Sequence, residues 1–134
     1  MANKRYRIQP FPRARQFSID AGRLGSKRHI VHGLFEADVT EAKRRMQEHE
    51  GETGENLSFT AFIIHCLGKA VESHDHLHAY LNWRRQLVIY EEVNVNTMVE
   101  VEMGGRKVPM PHILKAVNKR SYRAIHEEIR EVQS

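Results

Sequence analysis

The segment VNVNTMVEVEM, residues 93–103, constrains the fold more than any other, because it alternates apolar and polar side chains without interruption. Alternate residues of a β-strand share one face, so Val93, Val95, Thr97, Val99, Val101 and Met103 are predicted to lie together on a buried face. Gly104 and Gly105 then supply a turn. RKVPMPHIL resumes an extended path, which Pro109 and Pro111 are expected to break because proline has no N–H for a ladder.

Other stretches carry their own signals. SKRHIVHGLFEADV, from Ser26, has the β-branched and aromatic content of a strand of roughly ten residues. Thr40 is placed to cap a helix through EAKRRMQEHE, whose apolar positions Val39, Ala42 and Met46 make one narrow stripe and predict a surface helix. GETGEN is a turn. Ser58 then caps FTAFIIHCLGKAVE, apolar nearly all round and therefore expected to be the central helix of the core. QLVIY reads as a short strand, and Ser121 caps a final amphipathic helix, SYRAIHEEIREV. The order strand, two helices, strands, helix predicts a mixed α/β layer architecture, with no internal repeat.

At 134 residues the chain is one domain at most, and 40% hydrophobic with 28% charged residues is the composition of a soluble globular protein. No apolar run is long enough to span a bilayer, which excludes a membrane protein of helical type. The basic start MANKRYRIQPFPRARQ lacks the continuous apolar core of a secretory signal and fits a mitochondrial presequence poorly, so the expected compartment is cytoplasmic. Cys66 is the only cysteine, so no internal disulfide can form. Residues 1–28 hold eight Lys or Arg against the single Asp20, while the remaining 13 basic and 16 acidic residues nearly cancel. Such an arm suits a phosphate-bearing ligand or an acidic partner subunit; equally, it suits a solvated tail.

Several residues are candidates for chemical sites. HDHLHAYLN puts His74, His76 and His78 at alternate positions, which on a strand would face one way and suit zinc or copper. Cys66 lies on the apolar helix without a feature that would lower its pKa, so it reads as an inert core thiol. GGRKVP lacks the strand, glycine spacing and helix of a phosphate-binding loop and reads as a turn. Trp83, Arg84 and Arg85 form no complete nucleic-acid motif, and no nucleic-acid partner is expected.

Four ordered blocks resemble one family. SKRHIVHGLFEADVTEAKRR resembles the Ser-Lys, Pro-His-Phe strand and Asp-Val-Thr helix start of the dihydrolipoyl acyltransferases. These are the catalytic domains of the 2-oxo acid dehydrogenase complexes and relatives of chloramphenicol acetyltransferase. LSFTAFIIHCLGKAVESHDHLHAYLN looks like their buried helix and His-Pro-Glu-Leu-Asn-Ala stretch. VNVNTMVEVEMGGRKVPMPHILKA looks like their strand, Gly turn and Val-Pro-Val-Ile strand, and RSYRAIHEEI like the helix that follows. Val31 and Gly33 depart from the Pro and Phe of the first strand, and Gly22 and Gly25 are expected to break the arginine-rich helix ahead of it.

The resemblance implies a chloramphenicol acetyltransferase-like two-layer α/β fold, incomplete in this chain, with a basic arm at 1–25 and the N-terminal part of the domain at 26–134. It implies acyl transfer between a dihydrolipoyl-type thiol and coenzyme A in a homotrimer, with a lipoyl domain or other complex components as partners. In the family the base is a histidine of His-x-x-x-Asp-Gly, but none of the nine histidines here begins that pattern. The family's domain would continue nearly as long again past Ser134, so the chain is expected to be either the N-terminal part of a longer acyltransferase or a shortened relative that has lost catalysis, as a non-catalytic scaffold, or that pairs with a separate C-terminal partner. Arg28, with Lys27 beside it, stands nearest the family's arginine that pairs with the motif aspartate; the alternative is a solvated basic pair. His32 occupies the strand-histidine position and is expected to be packed rather than catalytic. The resemblance places His74 in the loop closing the buried helix and Leu77 and Ala79 at core positions of the next strand. The three histidines then sit in a turn, with no metal expected.

Overall fold

The computed structural model describes residues 7–12, 15–27, 30–103 and 105–134, which fall into two compact units, Met1–Ala37 and Asp38–Ser134. In the first unit, helix α1 spans Gln16–Gly25 and continues through Gly22, so neither glycine breaks it before its end. Residues 30–39 form no strand, correcting the expectation for this stretch. Val31, Leu34 and Phe35 are almost fully exposed, and among the described residues no backbone hydrogen bond partners residues 30–38. β composition alone does not make a strand, because a strand needs a second backbone to bond.

The second unit starts with α2, Thr40–Thr53, which buries no residue, as its narrow stripe predicts. Thr40 is its first helical residue rather than its cap; the Asp38 carboxylate accepts from the Thr40 N–H at 2.9 Å and holds the helix start. Those bonds with Thr40 also keep the Asp38 carboxyl below its ordinary pKa. Gly54, at φ +73°, ends the helix in the left-handed conformation that glycine adopts freely. Helix α3, Phe59–Glu72, is capped as expected, with the Ser58 hydroxyl accepting from the Ala61 N–H at 3.3 Å. It buries one face, through Ala61, Ile64 and Gly68, while Ile63, Cys66 and Leu67 are exposed, so it is not packed all round.

A turn of 3-10 helix, Asp75–His78, leads into a small antiparallel pair, β1 (Ala79–Leu81) and β2 (Leu87–Ile89). Leu77 is exposed on the turn and is not a core position of the strand. The larger hairpin joins β3, Val95–Met103, to β4, Arg106–Leu114, in unbroken register from Val95↔Leu114 to Met103↔Arg106. The prolines do not break β4, and the backbone parity explains why. Val93 accepts from the Val117 N–H and donates its own N–H to Asn118, so the odd-numbered residues of this stretch turn their polar groups toward the β4 side. Pro109 and Pro111 pair with even-numbered Glu100 and Met98, whose backbone groups point away from the ladder, and the missing N–H groups cost no pairing.

The predicted inner face exists: Val93 and Val99 are buried and Val95, Thr97 and Val101 are partly buried, whereas Met98 on the other face is 59% exposed. Helix α4, Tyr122–Gln133, is capped by Ser121 as expected and contributes Ile125 and Ile129. These join Ala61, Ile64, Val93, Leu114 and Val117 in the core. Gly68 allows α3 to approach the 3-10 turn Val117–Lys119 so closely that a Cβ there would lie 2.9 Å from Val117 Cγ2 and 3.0 Å from the Asn118 nitrogen. No described helix is long and apolar enough to cross a membrane.

Candidate functional site

Two polar constellations and one cleft carry the functional geometry of the second unit. The first constellation centres on Asn118, the one buried polar side chain among the described residues. Its Oδ1 accepts from the Val93 N–H at 3.0 Å, and its Nδ2 donates to the Glu91 carbonyl and the Glu72 carboxylate at 3.0 and 3.1 Å. Lys69 Nζ donates to the Asn118 carbonyl at 2.6 Å and to Glu72 at 3.0 Å. Lys69 and Asn118 together hold the Glu72 carboxyl below its usual range. With every polar atom of the amide bonded, this is a structural tie.

The second links β4 to α4. His112 Nε2 lies 2.7 Å from Glu128 Oε1, Arg120 pairs with the other carboxylate oxygen, and the Arg120 guanidinium also donates to the Ala124 carbonyl at 2.7 Å. Burial alone would raise the Glu128 pKa, but the bonds from His112 and Arg120 outweigh it and hold the carboxyl low. The sequence contains a signal for this group: His112 falls in register with Thr97, on the inward parity of the hairpin where an imidazole needs a partner.

The remaining described histidines are dispersed. His126 Nδ1 accepts from the Ser58 N–H at 3.0 Å, which puts the proton of the neutral ring on Nε2. His74 Nδ1 lies 2.9 Å from the Ala70 carbonyl, His76 sits beside Asp75, and the His78 ring meets Tyr90 edge-on. The triplet is thus in a turn, each ring with its own neighbour, and among the described residues no three His, Cys, Asp or Glu side chains gather in a way that could hold a metal ion. His65 Nδ1 is buried with no hydrogen-bond partner among the described residues, against the Tyr122 ring. Burial raises the Tyr122 pKa, and its hydroxyl donates to the Ser58 carbonyl at 3.1 Å. His32 is exposed rather than packed.

Other sequence candidates also find their places. Arg28 lies outside the described residues, as does Gly104; Lys27 is exposed at the end of α1. Cys66 is exposed, correcting its reading as a core thiol, because it faces away from the single buried side of α3. Trp83, Arg84 and Arg85 occupy the turn between β1 and β2, with the Arg84 guanidinium 4.6 Å from the Trp83 ring centre.

The cleft has a volume of about 420 Å³ and is lined by α2, the start of α3, β3 and α4, including Lys43, Ser58, Thr97, Met98 and Arg130. It offers two cations, hydroxyl groups and an apolar wall, but neither a histidine nor a cysteine lines it. A second cavity of about 530 Å³ is more apolar, with Met46, Leu57, Phe62 and Tyr122 in its wall and His49 at its edge, 3.3 Å from Glu55. On α2 above it, hydrogen bonds from Arg44 and Arg45 push the Glu41 carboxyl down to about 2. Neither cavity assembles a base beside an oxyanion donor, the pair that acyl transfer requires.

Comparison with known proteins gives this architecture a context. Residues 26–134 match the family 2-oxoacid dehydrogenases acyltransferase (catalytic domain). No curated protein sequence matches the chain. Among solved structures, a dihydrolipoamide acetyltransferase of Azotobacter vinelandii is similar at TM-score 0.69 and 19% identity, with 97% of this chain and 55% of that one covered. A probable dihydrolipoamide acetyltransferase of Listeria monocytogenes gives 0.64 and 22%, with 98% and 56% covered. A truncated catalytic core of the 2-oxoacid dehydrogenase multienzyme complex of Thermoplasma acidophilum gives 0.67 and 17%, with 94% and 57% covered. The chain therefore spans about half the length of the structures it matches, and its mixed α/β fold is the corresponding incomplete form of theirs. With the match running from Ser26 through the capped helices and the hairpin to Ser134, the chain belongs to the 2-oxoacid dehydrogenase acyltransferase catalytic-domain family.

Proposed function

We propose that the chain is the N-terminal part of a coenzyme A-dependent acyltransferase unit that moves an acyl group between a dihydrolipoyl-type thiol and coenzyme A. The observation that carries this reading is the family match over residues 26–134. Transfer between two thiols needs a base to take the proton of the attacking thiol and a donor for the oxyanion of the tetrahedral intermediate. None of the nine histidines begins His-x-x-x-Asp-Gly, so the base comes from polypeptide outside residues 1–134. In this reading α3, α4 and the β3–β4 hairpin form the scaffold against which that polypeptide places its histidine. The unit is a homotrimer in the cytoplasm with its site between subunits, and a lipoyl domain delivers the acyl group. The absent motif favours a second reading, a non-catalytic scaffold that keeps the family's packing.

Sedimentation equilibrium followed by titration with acetyl coenzyme A tests the pair. A trimer that binds acetyl coenzyme A saturably, with no acetyl transfer to dihydrolipoamide above the buffer rate, is expected. An oligomer that ignores acetyl coenzyme A supports the scaffold, and turnover by residues 1–134 alone would refute the assignment of the base to another polypeptide.

A further inference from the structure

Ser58 is held at two points by one face of α4. Tyr122 and His126 are four residues apart on that helix and project side by side. The Tyr122 hydroxyl donates to the Ser58 carbonyl at 3.1 Å, and the Ser58 N–H donates to His126 Nδ1 at 3.0 Å. The same carbonyl accepts from the Phe62 N–H, and the Ser58 hydroxyl caps the Ala61 N–H, so this one residue both starts α3 and joins it to α4. Of the two bonds from α4, only the one to His126 uses a lone pair that a proton can occupy near neutral pH. Ser58 stands in the wall of the 420 Å³ cleft and Tyr122 in that of the 530 Å³ cavity, so the joint borders both.

We propose that His126 is a pH-sensitive latch, which holds the Ser58 backbone on α4 when the ring is neutral and releases it when the ring is protonated. A neutral ring with its proton on Nε2 offers Nδ1 as an acceptor, whereas the imidazolium carries N–H on both nitrogens and sets a donor against the Ser58 donor. The groups around the joint give the charged ring no replacement. On α4 they are Tyr122, Arg123 and Arg130. Helix α3 presents its N-terminus, the positive end of its dipole, and His65, whose Nδ1 has no hydrogen-bond partner among the described residues. From α2 and the loop after it come Lys43 and Glu50 at the cleft, Glu41, Arg45 and His49 at the other cavity, and Glu55, which His49 and Arg123 share. Strand β3 adds only the uncharged Thr97, Met98 and Val99 to the cleft wall. Among the described residues the histidine–carboxylate pairs are those of His49, His76 and His112, and none reaches His126. Protonation therefore frees the Ser58 N–H while the Tyr122 bond persists, and the start of α3 loosens at one point rather than detaching.

Hydrogen exchange of the 134-residue chain, with each rate divided by that of an unstructured peptide at the same pH, tests the latch. The protection of the Ser58 amide should fall about tenfold from about pH 7.5 to about pH 5.5, while that of Ile64 in the middle of α3 changes by less than about twofold. His126→Asn keeps an acceptor that does not titrate and should make the Ser58 protection independent of pH; His126→Ala should leave it low throughout. Nitrogen NMR of the His126 ring in the parent chain needs no variant and should find the proton on Nε2 at pH 7.5. Ser58 protection that stays constant in the parent overturns the proposal, and so does a proton on Nδ1 at pH 7.5. A pH dependence that survives in His126→Asn also overturns it, since the titrating group would then be His49 or His65.

Discussion

Residues 30–39 and residues 95–103 are both rich in the residue types of strands, yet only the second is one. Strand β3 has a partner nine residues long in β4, and its inward parity meets α3 and α4. Residues 30–38 have neither a backbone partner nor a buried side chain among the described residues. β propensity is the ability to fit a pleated, half-buried surface, and it is expressed only where such a surface exists.

The largest test of this contrast exchanges one leucine in each region. Leu114→Ala removes a side chain with 0% exposure at the end of β4 and should cost about 3 kcal/mol, whereas Leu34→Ala, at a fully exposed position, should change stability by less than about 0.5 kcal/mol. Urea unfolding measures both, and a comparable loss at Leu34 would mean that the segment is packed after all. Next, Gly68→Ala probes the surface on which the hairpin chain continues. The added Cβ meets the backbone at Asn118, which the 3-10 turn holds, so a loss of about 1–3 kcal/mol in the same assay is expected. An unchanged midpoint would show that α3 and the turn can separate without penalty.

The smallest effect concerns the tie from His112 to α4. The Glu128 carboxyl has a lowered pKa in the folded state, so its stabilisation is present above the unfolded carboxylate pKa of about 4.3 and is lost as pH falls through the folded value. Glu128→Gln should therefore cost about 1–2 kcal/mol at pH 7, with the gap from the parent closing as the pH drops below that point. Thermal melts at a series of pH values between neutral and strongly acidic would reveal a constant gap if Glu128 contributed through packing alone.

Much of the second unit is legible locally. Ser58 and Ser121 announce their helices because an N-cap acts on an amide three residues away, and the 93–103 alternation announces its inner face because a strand repeats every two residues. The bond from the Thr40 N–H to the Asp38 carboxylate is equally local, a side chain accepting from an amide two residues on. The tie joining His112, Arg120 and Glu128 was less accessible, for it depends on how α4 is rotated over the hairpin.

By itself the sequence determined the Ser58 and Ser121 caps, the surface character of α2, the inner face of residues 93–101, the absence of His-x-x-x-Asp-Gly and the family resemblance. Each follows from side chains a few residues apart or from the order of motifs. Only tertiary structure decided that residues 30–39 stay unpaired, that Cys66 faces outward, that Gly68 is a point of close approach and that Asn118 joins three segments. The reason is common to all four: pairing, facing and approach are properties of two surfaces meeting, and a one-dimensional pattern specifies just one of them.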